Sequence, residues 1–219
     1  YAFRCLLAEK IPLNEGFLRA LELHIPEGSM LNPKAPAAVV SGNVETSQYL
    51  VDSILLALGK LAGSQGTNNN FTFGNDEYQY YETLCGGSGA GEGFDGTSAV
   101  QVHMTNSRLT DPEILELRYP VRLRSFEVRR GSGGQGRQVG GDGVVRRVEF
   151  LQPMAAAIIS GHRQVPVAGL NGGEDGACGQ NRVIRKDGTV EELQGCDQVA
   201  MATGDLFEIH TPGGGGYGH

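Results

Sequence analysis

The sequence predicts an α+β fold: one long amphipathic helix and a short one, with a β-rich, mainly antiparallel second half. Three observations point there. Apolar residues recur at helical spacing over residues 51–62, whereas later segments alternate at the period of two that marks half-buried strands. Those later segments are short and broken by turn dipeptides such as Asp187-Gly188, a hairpin signal. Glycine is partitioned as well, with seven of the 34 in residues 1–85 and 27 in residues 86–219.

The long helix rests on Val51, Ile54, Leu55, Leu58, Leu61 and Ala62, which fall on one face. Asn43 is its expected N-cap, Glu45 and Asp52 lie early and Lys60 late, and Gly63 is its expected stop. Asp111-Pro112 opens the short helix, as a cap followed by proline at the first helical position, and it runs to about Arg118. Ala99–Met104 alternates as a strand. In Val121–Arg130 the apolar parity switches at Ser125, which predicts a bulge. Val144–Leu151 and Met154–Ser160 flank a turn at Gln152-Pro153, Arg182–Leu193 forms a hairpin, and Thr203-Gly204-Asp205 turns into Leu206–His210. The division expected from this pattern is a helical or mixed part to about residue 110 and a β-rich part from 111 to 219.

Composition narrows the function classes. The chain has 219 residues, 18 basic against 25 acidic, and a net charge of −7, which argues against a general nucleic-acid binder. No apolar run approaches the ~20 residues of a membrane-spanning helix, and the composition reads as cytoplasmic. Cys5, Cys85, Cys178 and Cys196 lack C-x-x-C spacing, so neither zinc nor a redox pair is suggested and free buried thiols are expected. Glycine at 34 residues is roughly twice its usual ~7% share. In regular structure each costs ~0.5–1 kcal/mol relative to alanine, so many must sit where a side chain would clash.

Two stretches match G-x-G-x-x-G, Gly91–Gly96 and Gly131–Gly136, but strand patterns follow both, where a dinucleotide site requires a helix. No P-loop pattern occurs. Gly86–Gly91 and Thr211–Gly218 read either as anion nests of backbone N–H groups or as mobile segments. His103-Met-Thr-Asn-Ser-Arg108 collects an acid–base group in His103, hydrogen-bonding groups in Thr105 and Asn106, and a carboxylate-holding Arg108; a structural histidine is the competing reading. Asn43, Glu45 and Ser47 open the long helix, where N-terminal donors meet an anion or serve as caps alone. Residues 118–147 carry eight arginines, no lysine and two acids, the pattern of bidentate pairing with carboxylates of this or another chain, the favoured use, or with phosphate.

In this order the motifs resemble the hydantoinase B/5-oxoprolinase family. They are Gly28-Ser-Met-Leu-Asn-Pro, Ser41-Gly-Asn-Val-Glu-Thr-Ser-Gln, Tyr80-Tyr-Glu-Thr, Gly86-Gly-Ser-Gly-Ala-Gly, His103-Met-Thr-Asn-Ser-Arg, Asp111-Pro-Glu-Ile-Leu-Glu-Leu-Arg-Tyr-Pro, Gly140-Gly-Asp-Gly-Val and His210-Thr-Pro-Gly-Gly-Gly-Gly-Tyr-Gly. The likeness covers nearly the whole chain and is strongest to the ATP-dependent 5-oxoprolinases. It implies the C-terminal segment of a hydantoinase B-like domain in a larger enzyme that opens the lactam of 5-oxo-L-proline to L-glutamate. ATP and Mg would be bound outside this chain, in a hydantoinase A-like portion, and no metal is expected within it. The remaining hydantoinase B portion would be a further partner and the whole a homo-oligomer. The isolated chain would be inactive. The resemblance assigns no catalytic residues here. Asn43, Glu45, Ser47, His103, Thr105, Asn106 and Arg108 stand as candidate substrate-binding residues. The alternatives are a segment of an N-methylhydantoinase, of an acetone- or acetophenone-type carboxylase, or a non-catalytic scaffold module.

Overall fold

The computed structural model describes every residue except Leu13, and those residues form nine strands in two antiparallel sheets, six of them in the segments expected to be strands. The strands are β1 (Asn70–Gly74), β2 (Gln79–Thr83), β3 (Val121–Arg129), β4 (Gly143–Phe150), β5 (Met154–Ile159), β6 (Gln180–Ile184), β7 (Val190–Leu193), β8 (Cys196–Met201) and β9 (Leu206–His210). One sheet runs β2-β1-β5-β8 and the other β3-β4-β9-β6-β7. Their inner faces share one apolar core. Phe71 and Phe73 of the first sheet meet Phe207 and Phe150 of the second at ring-centroid distances of 4.7 and 5.4 Å. Contacts separate two units, residues 1–42 and 43–219, and both sheets lie in the second. The first holds α1 (Ala2–Cys5) and 3-10 turns at Glu15–Ala20 and Val40–Gly42, with Ala2 its buried apolar residue.

The short helix, α3 (Pro112–Arg118), starts as expected, with the Asp111 carboxylate accepting the Glu113 N–H at 2.9 Å. The bulge in β3 falls where the parity switched, between Leu123 and Ser125. The Asp187-Gly188 hairpin joins β6 and β7, with Gly188 at φ +89°. The long helix, α2 (Thr46–Ala57), is shorter than its apolar pattern suggested. It starts at Thr46 with Glu45 rather than Asn43 in the capping position. It ends at Ala57 with Leu58 as C-cap, and Gly59 follows at φ +65°, its N–H reaching the Leu56 carbonyl while Lys60 N–H reaches that of Leu55. That paired bonding closes a helix one turn before Gly63. Ala99–Met104 forms no strand, because Ala99 and His103 both sit at φ +53° and break the extended path. β1, β2 and β8 were not among the expected strands, and β1 and β2 join β5 and β8 across the position-110 division. All four cysteines are free, but of them only Cys85 is buried, which pushes its thiol up to about 11.

The two glycine runs are neither nests nor mobile tails. Every amide of Gly86–Gly91 is taken: by Val100 O, Pro212 O, Thr97 O, Ser64 Oγ, Gly215 O and Phe94 O in turn. In the closing run, Gly213 and Gly216 donate to Ala177 and Glu174 of one neighbouring segment, Gly214 to Gly141, and Gly215 to Gly63. Donors that return to the same neighbour every third residue belong to an extended threefold chain, which makes no internal hydrogen bonds and must find partners outside itself. Residues 211–216 are buried at the centre of this bundle. Most of the glycine excess is thereby explained.

Three arginines of the arginine-rich stretch, Arg124, Arg146 and Arg147, pair with acids of their own chain. Across the outer face of the five-stranded sheet runs an alternating ladder: Glu127 on β3, Arg147 on β4, Glu208 on β9, Arg182 on β6 and Glu192 on β7. The Glu208 side chain is almost wholly buried against Arg147 and Arg182, with His210 Nε2 at 3.0 Å from one oxygen. Burial would raise its carboxyl, but the hydrogen bonds and charges of Arg147 and Arg182 outweigh that and hold it below the usual range. A carboxyl lowered on folding contributes stability above its unfolded pKa of about 4.3 and loses it as pH falls through the folded value. Urea midpoints should therefore fall steeply below about pH 4. Glu208→Gln should cost about 1.5–3 kcal/mol at pH 7 and flatten that acid slope; an unchanged slope would count against the ladder's role.

Candidate functional site

Helix α2 turns a polar stripe inward that its apolar pattern concealed. Glu45, Gln48 and Asp52, spaced i, i+3 and i+7, face the buried loop Ser64-Gln-Gly-Thr-Asn-Asn-Asn70. The glycine bundle holds that loop: Gly215 N–H bonds Gly63 O, Gln65 N–H bonds Gly87 O, and Gly89 N–H bonds Ser64 Oγ. Buried polar groups require partners, and this cluster supplies them internally. One Glu45 carboxylate oxygen accepts from Thr67 Oγ1 at 2.8 Å, Asn68 N at 3.1 Å and Asn70 Nδ2 at 2.7 Å. Burial pushes the Glu45 carboxyl above its usual range despite those three donors. Gln48 donates to Asn68 Oδ1 at 2.6 Å and also to Thr105, whose hydroxyl reaches the same Asn68 oxygen at 2.6 Å.

Asp52 and His103 form a buried pair at 2.7 Å, with side chains 9% and 5% exposed. The bonded Asp52 oxygen also accepts Ser64 N–H at 3.0 Å, while its second oxygen, Gln48 Oε1 and Gln65 Nε2 are buried without a partner among the described residues. Left-handed backbone concentrates here: Asn69 at φ +45°, His103 at +53° and His162 at +51°. Such strain persists where surrounding structure over-determines it, as at functional sites. Beside the cluster opens a groove of about 600 Å³ lined by Tyr49, Ser160, His162, Arg163, Gln194 and Cys196, among others. The Tyr49 and His162 rings stack at 5.1 Å. Arg163 donates to Gly161 O, Asn69 Oδ1 and Asn181 Oδ1 at 2.7–3.1 Å. Burial lowers it to about 9, still cationic at neutral pH.

Of the seven expected residues, the structure brings Glu45, His103 and Thr105 into this cluster. Asn43, Asn106 and Arg108 are exposed, and Ser47 donates its hydroxyl back to the Asn43 carbonyl at the helix start. Sequence reasoning missed Gln48, Asp52, Asn68, His162 and Arg163. The seven-residue run at 64–70, uncharged, without an apolar side chain and ending in three asparagines, was the available signal. The glycine stretches do not fit a nucleotide: neither G-x-G-x-x-G match precedes a helix, and the amides of Gly86–Gly91 are spent on protein oxygens. Among the described residues no three His, Cys, Asp or Glu side chains gather as a metal site, and no helix is long and apolar enough to cross a membrane.

Comparison with known proteins agrees with the motifs. A 5-oxoprolinase of Dictyostelium discoideum is 48% identical over 218 residues, and 5-oxoprolinase 1 of Arabidopsis thaliana is 51% identical over 218 residues. Both alignments take in all of this chain but only 17% of the relative. In fold, the chain superposes over its full length on 42% of the crystal structure of an ATP-dependent caprolactamase from Pseudomonas jessenii, with a TM-score of 0.83 and 24% identity. The Hydantoinase B/oxoprolinase family matches residues 1–219 throughout, and this chain belongs to that family.

Proposed function

We propose that this chain is one portion of an ATP-dependent 5-oxoprolinase, which opens the lactam of 5-oxo-L-proline to L-glutamate. The observation that carries the reading is the 48–51% identity, over the whole chain, to two 5-oxoprolinases. The reaction breaks the ring C–N bond; the hydroxyl of water goes to the carbonyl carbon and its proton to the nitrogen. In this reading His103, oriented by Asp52, exchanges that proton, and the amide and hydroxyl groups of Gln48, Asn68 and Thr105 hold the ring. ATP and Mg belong to a hydantoinase A-like portion outside this chain, which also completes the assembly as a homo-oligomer in the cytoplasm. Asn43, Ser47, Asn106 and Arg108 would reach substrate only from a face that the rest of the enzyme completes.

The test uses the full-length enzyme with 5-oxoproline and ATP. His103→Asn and Asp52→Asn should lower kcat by roughly 100-fold or more, the usual worth of a positioned proton-transfer group, with circular dichroism unchanged. Rates within twofold of the parent would instead leave the chain as scaffold. Unchanged kcat/KM in Asn106→Ala and Arg108→Ala would remove those two from the substrate side.

A further inference from the structure

Arg163 differs from most arginines around it. Arg146, Arg147, Arg182 and Arg185 each hold a carboxylate. Arg129 is spent on the backbone carbonyls of Cys178 and Thr211, inside the fold. Arg163 lines an open groove, and among the described residues its partners are all neutral oxygens, Asn69 Oδ1, Asn181 Oδ1 and Gly161 O. A guanidinium carries five N–H donors. Nε, one on Nη1 and two on Nη2 are accounted for, which leaves one Nη1 hydrogen. The amide side chains therefore fix the plane of the guanidinium without neutralising it.

The groove around it suits an anion. In a chain with 25 acidic residues, none of the described Asp or Glu lines this groove. Tyr49, Ser160, His162, Gln164, Gln194 and Cys196 give it polar walls, and its cationic side chain is Arg163. Glu45, the acid whose field reaches Arg163, has its bonded oxygen committed to three other donors, and Arg129 adds a second positive field. A volume of about 600 Å³ admits a small ring compound with space for neighbouring groups.

We infer that this groove binds the carboxylate of a small anionic ligand, with Arg163 as its charge partner. On the function proposed above, on which this assignment of ligand rests, that carboxylate is the one carried by 5-oxoproline. Arg163 thereby separates 5-oxoproline from lactams that lack a carboxylate. The cluster of Gln48, Asn68 and Thr105 would take the ring amide, and the Arg163 groove the acid.

The experiment compares 5-oxo-L-proline with 2-pyrrolidinone, the same lactam without the carboxylate, in the full-length enzyme with saturating ATP. Arg163→Gln should raise KM for 5-oxoproline roughly 10- to 100-fold, the worth of a charge-assisted hydrogen bond. It should leave kcat less affected and KM for 2-pyrrolidinone unchanged. Equal changes for both compounds, or none, would overturn the assignment. A second measurement needs no variant. Cys196 is exposed on the groove, so 5-oxoproline should slow its alkylation by a maleimide, read by peptide mass, and 2-pyrrolidinone at the same concentration should not. Labelling that ignores both compounds overturns the inference even if Arg163→Gln fails to fold. An enzyme that turns over no 5-oxoproline refutes the proposed function, and Cys196 protection by the carboxylate compound still decides the groove.

Discussion

Gly214→Ala should abolish the folded protein. A methyl group at that position would lie 1.9 Å from the Ser88 carbonyl oxygen and 2.3 Å from its carbon. Both are backbone atoms, so no rotamer change relieves the clash. The neighbouring segments would have to separate by roughly 1.5–2 Å to reach ordinary contact at about 3.5–4.0 Å. Gly214 N–H to Gly141 O and Gly134 N–H to Gly214 O would then be strained together, and both lie in the buried bundle. We expect a loss above about 4 kcal/mol, the range reserved for overpacking combined with broken buried hydrogen bonds, seen as insoluble protein or a lost unfolding transition. Gly42→Ala is the control, because no atom lies within 4 Å of its added carbon and its φ is not positive. That variant should be neutral or stabilised by about 0.4–1 kcal/mol. If both variants melt alike, close approach is not the reason for the glycines.

Arg146→Ala should cost about 3–5 kcal/mol, because it strands a buried carboxylate. Arg146 of β4 points into the otherwise apolar space between the sheets and grips Glu82 of β2 through Nε at 2.6 Å and Nη2 at 2.9 Å. The Phe126 ring lies 5.4 Å from its guanidinium carbon. Tyr80 donates its hydroxyl to the same carboxylate at 2.9 Å, and burial together with the Glu82 charge pushes that phenol up to about 12. Tyr80 therefore remains a donor, but one neutral hydrogen bond does not replace a bidentate cation. The double variant Arg146→Met with Glu82→Leu should recover most of the loss, since a buried ion pair exchanges for apolar packing at little net cost. Urea unfolding of the two single variants and the double variant gives the coupling energy. A coupling below about 1 kcal/mol would show that the pair is dispensable to the joint between the sheets.

The legible parts of this fold are those whose cause is local. Asp111-Pro112 caps α3 through its own next turn, Asp187-Gly188 closes its own hairpin, and the parity switch at Ser125 is the bulge itself. The end of α2 was misplaced because apolar residues continue to Ala62, whereas the helix is closed by the left-handed backbone of Gly59. Ala99–Met104 alternates like a strand, yet pairs only through one bridge, Val100 to Gly86, because Ala99 and His103 turn the chain.

The candidate site shows the same division. Glu45 could be chosen by its position at a helix start, and His103 and Thr105 by residue type. Asp52 could not, because on its own helix it reads as an ordinary early acid. It becomes a partner of His103 only when residues 51 positions apart meet at 2.7 Å. Arg163 likewise gains meaning from the acid-free groove around it, which is assembled from segments far apart in the chain.

By itself the sequence determined the α+β class, the local caps and turns, and, through its ordered motifs, the family. Only the tertiary structure decided what the glycines do and which polar residues form a site. Caps, turns and strand parity depend on neighbours within a few residues. A chain that hydrogen-bonds a different segment through each successive residue, and a carboxylate that selects its histidine across the fold, depend on contacts that exist only once the core has formed.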